Sequence, residues 1–291
     1  MSLVTKETGY VKSFDGTPIY YEVRGEGKPI FLCYGVACLM NHWRYQISSF
    51  SKDYKVITFD YRGHHLTAIP ENRDNLTLDA IAQDIKCLAE HLKIEKASFF
   101  SHSFGAQVVI RTYDMFPELF ANLVFINGFT TNPIKNMFGG TTAQTAYTFF
   151  KQYYNKLPET ISYIWKAAIN NPIAMQLSAL AGGFNLNLTS FKDIEVYAKG
   201  VAAMDLDVFI RYFDQMMNYD GAPVLDRVDI PTLVIAGEKD TVTPRDYQDF
   251  LHKKIKDSQF LLVPYGSHCT QLDLPELVNL RIEKFLKESG Y

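Results

Sequence analysis

One serine, one histidine and one aspartate of this 291-residue sequence are placed so that they could together carry out nucleophilic catalysis. Ser103 supplies a hydroxyl, His268 an imidazole and Asp240 a carboxylate. A serine hydroxyl is a poor nucleophile until a neighbouring base takes its proton, and a third group must orient that base. The three residues are far apart in the sequence, so only the fold can bring them into contact.

Ser103 lies where an apolar run, residues 97–100, gives way to a helical pattern over residues 105–116. A strand that turns at once into a helix forces the residue at the bend into a strained backbone conformation. Small residues two positions to either side, Ser101 and Gly105, let the chain pass close to itself. The pattern predicts an exposed Ser103 hydroxyl above the carboxyl edge of a sheet, at the positive end of a helix. The alternative is a serine that only caps the helix.

Asp240 and His268 each follow a predicted strand, over residues 232–236 and 260–263 respectively. Parallel strands bring their carboxyl ends to one edge of the sheet, so we expect both loops to lie beside Ser103. There His268 would accept the serine proton, and Asp240 would orient the imidazole and stabilise its charged form. Three other carboxylates remain alternatives for the orienting role: Asp207, Asp214 and Asp273.

The elements that must position these groups alternate between strands and helices. Short apolar runs read as strands buried on both faces, and helical patterns such as residues 78–92 separate most of them. This alternation predicts an α/β fold with a mostly parallel central sheet flanked by helices. Asp15-Gly16 joins two stretches in which apolar and polar residues alternate, residues 10–14 and 18–23, and this pattern predicts a β-hairpin. The predicted buried strands are residues 30–34, 56–59, 97–100, 123–126, 232–236 and 260–263.

Residues 130–228 interrupt the alternation, because they contain no strand-like run but several helical patterns rich in aromatic rings. We interpret them as a helical insertion into a single core formed by residues 1–129 and 229–291. The insertion is either an ordinary helical layer or a lid whose inner face lines an apolar pocket. In the second case Gly139-Gly140 and Gly182-Gly183 would serve as flexible joints.

Composition excludes several classes of protein. The chain is 47% hydrophobic, which is unlike an intrinsically disordered sequence, and its net charge of −3 offers no basic surface for nucleic acid. The first twenty residues contain no continuous apolar segment of a secretory signal, and no apolar run is long enough to span a membrane. The four cysteines are scattered and form no CxxC pair. We expect a cytoplasmic protein, a monomer or homodimer, that binds a small molecule and neither nucleic acid nor membrane.

No local pattern predicts a metal ion or a cofactor. The adjacent His64 and His65 have no carboxylate or further histidine nearby at ligand spacing. The glycines at positions 25 and 27 are not followed by the remainder of a phosphate-binding loop. We expect His102, inside the turn, to be structural and to point away from Ser103. His42 either lines a pocket near Val36 or faces solvent.

The sequence resembles the α/β-hydrolase-fold serine hydrolases, esterase-like with a helical cap, along essentially its whole length. The resemblance implies that residues 130–228 form a helical cap over the site. It also implies that the backbone N–H groups of Val36 and Phe104 bind the oxyanion of an acyl-transfer intermediate. The segments that carry the resemblance are Tyr34-Gly35-Val36, Asp60-Tyr61-Arg62-Gly63-His64-His65, Ser101-His102-Ser103-Phe104-Gly105, Gly237-Glu238-Lys239-Asp240 with Pro244, and Gly266-Ser267-His268.

Three positions depart from the usual pattern of that family. Tyr34 stands where relatives usually carry His, which leaves the hydrogen bonding of that loop open. Ser101 replaces the commoner Gly before the turn, and His65 replaces a frequent Gly. None of these differences removes a group with a predicted role in catalysis.

The residues and the resemblance together predict a cofactor-independent hydrolase that cleaves a small or medium, hydrophobic carboxylic ester through an acyl-Ser103 intermediate. Members of this fold that act on epoxides or carbon–halogen bonds use a carboxylate at the serine position, so Ser103 argues against those activities. Amide or aminopeptide, lactone, thioester and carbon–carbon hydrolysis, perhydrolysis and acyl transfer would use the same three residues, and the fold does not choose among them. A ligand receptor without turnover is the alternative from a different class.

Overall fold

A computed structural model of the protein describes residues 6–137, 142–169 and 183–291. Gly139, Gly140 and Gly182, which the sequence suggests as joints, lie outside these ranges. In the described part of the chain, no helix is long and apolar enough to cross a membrane.

One sheet of eight strands organises the described chain, in the order β1-β2-β4-β3-β5-β6-β7-β8. The first two strands form an antiparallel hairpin, β2 pairs antiparallel with β4, and the remaining neighbours are parallel. The predicted α/β class and mostly parallel sheet are confirmed. The strands are β1 Lys6–Lys12, β2 Pro18–Arg24, β3 Lys28–Cys33, β4 Tyr54–Phe59, β5 Ala97–His102, β6 Phe120–Ile126, β7 Thr232–Gly237 and β8 Gln259–Val263.

Each strand differs from its predicted bounds by one or more residues, and the ends of β5 and β1 show the physical reason. Strand β5 continues two residues past the apolar run, because Ser101 and His102 still pair with β6 through the backbone. Strand β1 stops at Lys12, because Ser13 already hydrogen-bonds within the turn, and Phe14 is 54% exposed. Backbone pairing, which is indifferent to side-chain hydropathy, decides both ends.

Helices connect and flank the strands. In α2 the Thr77 side chain accepts a hydrogen bond from the Ala80 N–H and so caps the helix. The helices are α1 Arg44–Phe50, α2 Leu78–His91, α3 Gly105–Met115, α4 Thr142–Lys156, α5 Pro158–Ile169, α6 Phe191–Ala203, α7 Leu206–Asn218, α8 Ala222–Leu225, α9 Asp246–Lys254, α10 Thr270–Asp273 and α11 Pro275–Glu288. Short 3-10 turns occur at Met40–Trp43, Arg73–Asn75, Pro117–Leu119 and Pro133–Lys135.

The centre of the sheet is buried on both faces, as expected for parallel strands covered by helices. Every residue of β5 and β7 is buried. The rings of Phe31 and Phe99 stack with their centroids 5.0 Å apart, and Phe99 stacks on Phe120 at 4.1 Å. This packing fixes the strands, and with them the loops at their carboxyl ends.

Helices α4 to α8 lie between β6 and β7 in the chain, and the described residues of this segment form no strand. Helix α7 packs on the strand-and-helix core. Its Val208 and Tyr212 are fully buried, and the Tyr212 hydroxyl donates a hydrogen bond to the Arg62 carbonyl at 3.1 Å. Gly63, in the loop after β4, has a positive φ of 75°, and a Cβ there would lie 2.8 Å from Val208. The glycine therefore lets α7 pack directly against this loop.

The Arg62 guanidinium is buried in the loop after β4 and is held by acidic side chains. It donates to Asp84 from Nε at 2.8 Å and from Nη2 at 2.5 Å, and it donates to Asp15 at 2.9 Å. The side chains of Arg62 and Asp84 are both 0% exposed. Arg62 lies in the loop after β4, Asp84 in α2 and Asp15 in the β1–β2 turn, so these hydrogen bonds hold the three segments together.

We expect Arg62→Ala to lower the free energy of unfolding by about 3–5 kcal/mol, because the Asp84 carboxylate would stay buried without its partner. Urea denaturation followed by circular dichroism measures this change. Arg245→Ala, which removes an arginine from an exposed ion pair with Asp249, should cost less than about 1 kcal/mol. Equal losses of unfolding free energy in the two variants would contradict the role of Arg62 as the partner of a buried carboxylate.

Candidate active site

Ser103 occupies the turn between β5 and α3 with a positive φ of 55°, the strained conformation that the sequence predicts for it. Its neighbour Gly105 is required there, since a Cβ would lie 2.2 Å from the Cys33 carbonyl oxygen and 2.9 Å from that of Tyr34. Ser101 is accommodated in β5, where its hydroxyl donates to the Val124 carbonyl at 3.2 Å. The replacement of glycine by Ser101 therefore leaves the turn intact.

The structure brings Ser103, His268 and Asp240 together. The Ser103 Oγ lies 2.9 Å from His268 Nε2, and His268 Nδ1 lies 2.9 Å from Asp240 Oδ2. All three residues are buried, with 8%, 6% and 6% of their surface exposed respectively. Hydroxyl, imidazole and carboxylate thus form one continuous hydrogen-bonded line at the carboxyl edge of the sheet.

The Asp240 carboxylate is held by its own loop. Its Oδ1 accepts hydrogen bonds from the backbone N–H groups of Val242 at 2.9 Å and Thr243 at 2.8 Å. The Thr243 hydroxyl lies 2.8 Å from Asp240 Oδ2, 3.1 Å from His268 Nδ1 and 3.0 Å from the Asn127 carbonyl. Thr243 therefore touches both members of the imidazole–carboxylate pair, a contact that the sequence analysis did not foresee.

The three alternative carboxylates are engaged elsewhere. None of them hydrogen-bonds to His268 among the described residues. Asp207 pairs with Arg73, Asp214 pairs with Lys151, and Asp273 accepts hydrogen bonds from Ser267.

Val36 and Phe104 flank Ser103 from two elements. Phe104 is the residue before α3, and Val36 lies in the loop after β3. Within the described part of the chain, neither backbone N–H has a hydrogen-bond partner. The loop approaches the serine closely at Gly35, where a Cβ would lie 3.1 Å from the Ser103 Cβ. Two free N–H donors next to a nucleophile are the requirement for an oxyanion site.

His64 and His65 hold the loop that carries Val36. The Ala37 N–H donates to His64 Nε2 at 3.3 Å, and His65 Nε2 donates to the Cys38 carbonyl at 2.9 Å. Burial lowers the pKa of His64 to about 3, so the ring is neutral and accepts this hydrogen bond. Both rings are thus loop supports, a role without a signal in the local sequence. His65 adopts a positive φ of 41°, which explains why a glycine suits this position.

Tyr34 replaces the usual histidine with a different set of hydrogen bonds. Its hydroxyl donates to Asp60 Oδ1 at 3.0 Å and accepts from the Tyr61 N–H at 3.1 Å. The Tyr61 hydroxyl in turn donates to the Tyr34 carbonyl at 2.9 Å. The question that the sequence left open is therefore answered by two interlocked tyrosines that fix the start of the loop.

His102 and His42 are both buried beside the line of three side chains. The His102 Nε2 donates to the His268 carbonyl at 2.9 Å, so His102 supports the His268 loop. The His42 ring stacks on His102 with centroids 4.8 Å apart. Burial lowers the pKa of His42 to about 3 and that of His102 well below its ordinary value. His42 is 4% exposed, so the alternative that it faces solvent is wrong.

A cavity of about 370 Å³ opens beside Ser103 and His268. Its volume is in the range of small-molecule sites. Among the described residues, no Lys, Arg, Asp or Glu lines it. The helices between β6 and β7 contribute Trp165, Tyr197, Ala198, Val201, Phe209, Phe213 and Met216, and the remainder of the wall includes Gly35, Val36, Cys38, His102, Phe129, Pro133, Met137, Val242, Thr243 and Cys269.

Comparison with known proteins agrees with this architecture. Epoxide hydrolase 4 of Homo sapiens is 27% identical over 292 residues, which cover 96% of this chain and 78% of that protein. A bromoperoxidase from Bacillus anthracis superposes with a TM-score of 0.77 at 21% identity, over 97% of this chain and 100% of that one. An esterase from Thermogutta terrifontis superposes with a TM-score of 0.75 at 19% identity, over 98% of this chain and 100% of that one.

The sequence model of one protein family, described as the alpha/beta hydrolase fold, matches residues 28–275. The match includes Ser103, Asp240 and His268 and spans most of the chain. With its sheet topology and its strand–turn–helix at Ser103, this protein belongs to the alpha/beta hydrolase family.

Proposed function

We propose that the protein is a serine hydrolase that cleaves a neutral, hydrophobic carboxylic ester. The observation that carries the proposal is the hydrogen-bonded line of Ser103, His268 and Asp240. A base within 2.9 Å of the hydroxyl, itself oriented by a carboxylate, meets the geometric requirement for an activated serine.

In the first half of the reaction the Ser103 Oγ attacks the ester carbonyl carbon, and its proton passes to His268 Nε2. The carbonyl oxygen becomes an oxyanion. Collapse of this intermediate breaks the bond to the alcohol oxygen, and the leaving alcohol takes the proton from His268. Asp240 stabilises the charged imidazole while it holds the proton. The product of this half is an acyl-Ser103 ester.

In the second half a water molecule attacks the acyl carbon and gives its proton to His268. Collapse breaks the bond between the acyl carbon and the Ser103 Oγ, and His268 returns the proton to the serine. The free acid leaves, and the enzyme is restored without any cofactor.

The backbone N–H groups of Val36 and Phe104 would bind the oxyanion in both halves. Fixed donors of this kind each lower the barrier by roughly 3 kcal/mol, because the charge develops where the dipoles already point. The hydrogen bonds that join His64 and His65 to the Val36 loop support this role.

The serine itself favours acyl chemistry over the activity named for the human relative. If Ser103 opened an epoxide, the bond formed would be an ether, and water has no carbonyl carbon to attack in order to release it. An ester or related acyl group gives an acyl-serine that water can hydrolyse. The covalent intermediate thus turns over only with acyl substrates.

The cavity supports a neutral, apolar acyl or alcohol group. Rings from α5 and α7, among them Trp165 and Phe209, line it together with residues of the core. We propose that residues 130–228 are a cap that shields the ester from bulk water and selects the substrate by shape.

We expect a fluorophosphonate probe to label the folded protein but not the Ser103→Ala variant, because the probe reacts only with an activated hydroxyl. Gel fluorescence or intact mass spectrometry measures the adduct. Ser101→Ala, which removes a neighbouring hydroxyl already bonded to a carbonyl, should still be labelled. Absence of labelling in the folded wild-type protein would favour a receptor without turnover.

We expect kcat/KM for p-nitrophenyl esters to rise about fourfold per methylene from acetate to hexanoate. Each buried methylene contributes roughly 0.8 kcal/mol in the apolar cavity. p-Nitrophenyl hemisuccinate should react more slowly than p-nitrophenyl butanoate, because no cationic side chain of the described lining can pair with its carboxylate. Absorbance of released nitrophenol measures both, with Ser103→Ala as the blank. If no ester is hydrolysed by a protein that the fluorophosphonate probe labels, an amide, carbon–carbon or other acyl substrate is favoured.

We expect Thr243→Val to lower kcat by roughly 10-fold with little change in KM, since a hydrogen bond to a charged group contributes about 1.5 kcal/mol or more. The hydroxyl contacts Asp240 and His268, so we expect it to act by positioning the imidazole. Steady-state kinetics on one ester separates the two parameters. Thr241→Val, an exposed change in the same loop, is the matched control, and an equal loss of kcat in both variants would refute the role of Thr243.

A further inference from the structure

A second cluster of chemically reactive side chains adjoins the active site without belonging to it. Cys38, His42 and His102 each offer one ligand atom, and these atoms all lie within 4.8 Å of one another. Cys38 and His42 come from the segment after β3, four residues apart, whereas His102 ends β5. The three residues are 3%, 4% and 1% exposed respectively.

The hydrogen bonds of His102 fix which of its nitrogens carries a proton. Because Nε2 donates to the His268 carbonyl, Nδ1 must carry the lone pair. That Nδ1, together with His42 Nε2, is buried without a hydrogen-bond partner among the described residues. A buried nitrogen left unpaired costs free energy, so such an atom needs an explanation.

The arrangement of His102 is the one found in metal sites. A histidine ligand usually donates its other ring N–H to a carbonyl or carboxylate, which fixes the ring and its tautomer. His102 already makes this bond to His268, before any ion is present. Its free nitrogen and the Cys38 Sγ lie equally close, 3.3 Å, to the point where a Gly35 Cβ would be. The two ligand atoms thus pack against the same side of Gly35, where a larger residue would crowd both of them.

We propose that Cys38, His42 and His102 form a Zn²⁺ site in the wall of the cavity. A thiol with two imidazoles favours a borderline-soft ion over Mg²⁺ or Ca²⁺, which prefer oxygen ligands. Tetrahedral zinc places its sulfur and nitrogen ligands about 3.5 Å apart. The cluster must therefore contract by about 1 Å on binding. The Cys38 thiol loses its proton to solvent when the sulfur–zinc bond forms, and a water fills the fourth position.

The site is accessible through the cavity and is coupled to Ser103, His268 and Asp240. Cys38 and His102 both line the cavity that contains Ser103, so an ion reaches them along the path of the substrate. A Cβ at Gly35 would also lie 3.1 Å from the Ser103 Cβ, so Ser103 and the two ligand atoms contact the same glycine. On the proposed function, a bound Zn²⁺ and its water would occupy the space of the acyl group and block hydrolysis. The local sequence pattern predicts no metal ion, because these ligands converge only in the fold.

Co²⁺ is a spectroscopic probe for this site, used with the full-length protein. We expect wild type to bind one Co²⁺ with a thiolate-to-cobalt charge-transfer band in the near ultraviolet, and Zn²⁺ to displace it. Cys38→Ala should abolish the band, and His42→Gln should weaken Zn²⁺ binding, measured by isothermal titration calorimetry, roughly 100-fold.

Matched controls remove the same residue types elsewhere. Cys87→Ala, in α2, and His252→Gln, in α9, should leave the band and the Zn²⁺ affinity unchanged. Circular dichroism checks that each variant is folded. The proposal is overturned if the wild-type protein shows no charge-transfer band, or if Cys38→Ala binds Co²⁺ with the same band.

An activity measurement tests the coupling separately. Zn²⁺ should inhibit hydrolysis of p-nitrophenyl butanoate by the wild-type protein, chelation should restore it, and Cys38→Ala should lose this sensitivity. If Zn²⁺ binds without inhibiting hydrolysis, the metal site stands, but the proposal that the ion blocks the acyl group is wrong. Absence of any ester hydrolysis would reject the proposed function while the cobalt spectrum still decides the metal site.

Discussion

The contact on which the rest of the structure depends is the passage of Gly105 against the carbonyl groups of Cys33 and Tyr34. A side chain at this position would overlap both oxygens, so only glycine lets β5 turn directly into α3. The turn imposes a positive φ on Ser103 and aims its hydroxyl along the sheet edge. It also leaves the Phe104 N–H free at the start of the helix. The positions of the Ser103 hydroxyl and of the Phe104 N–H thus follow from a single close approach of two backbones.

The Val36 N–H, the second donor of the proposed oxyanion site, is positioned by side chains outside the group of Ser103, His268 and Asp240. The loop with Val36 is attached by the interlocked Tyr34 and Tyr61 at its start and by His64 and His65 at its centre. Their own loop is anchored by the buried Arg62 guanidinium. Precise placement of an N–H donor therefore depends on a chain of buried polar contacts, each of which must be satisfied because water is excluded.

Charge is distributed unevenly around Ser103 and His268. Asp240 lies behind His268 with hydrogen bonds to each carboxylate oxygen, and the described walls of the cavity carry no other charged group. An apolar cavity strengthens the interaction of oriented N–H groups with a developing oxyanion. The same property makes the burial of a charged substrate costly. On the proposed function, rate and selectivity for neutral substrates would therefore have one physical origin.

The sequence by itself determined the fold class, the order of the strands along the chain and the loops that carry Ser103, Asp240 and His268. It did so because buried parallel strands produce short apolar runs, and because carboxyl ends of parallel strands meet at one edge. The ends of β1 and β5, the support of the Val36 loop by His64 and His65, and the convergence of Cys38 and His42 on His102 were decided by the tertiary structure alone. These features depend on backbone pairing and on side chains that meet across distant segments. No local pattern of residue types records such contacts, since they arise only when the packed core fixes the segments against one another.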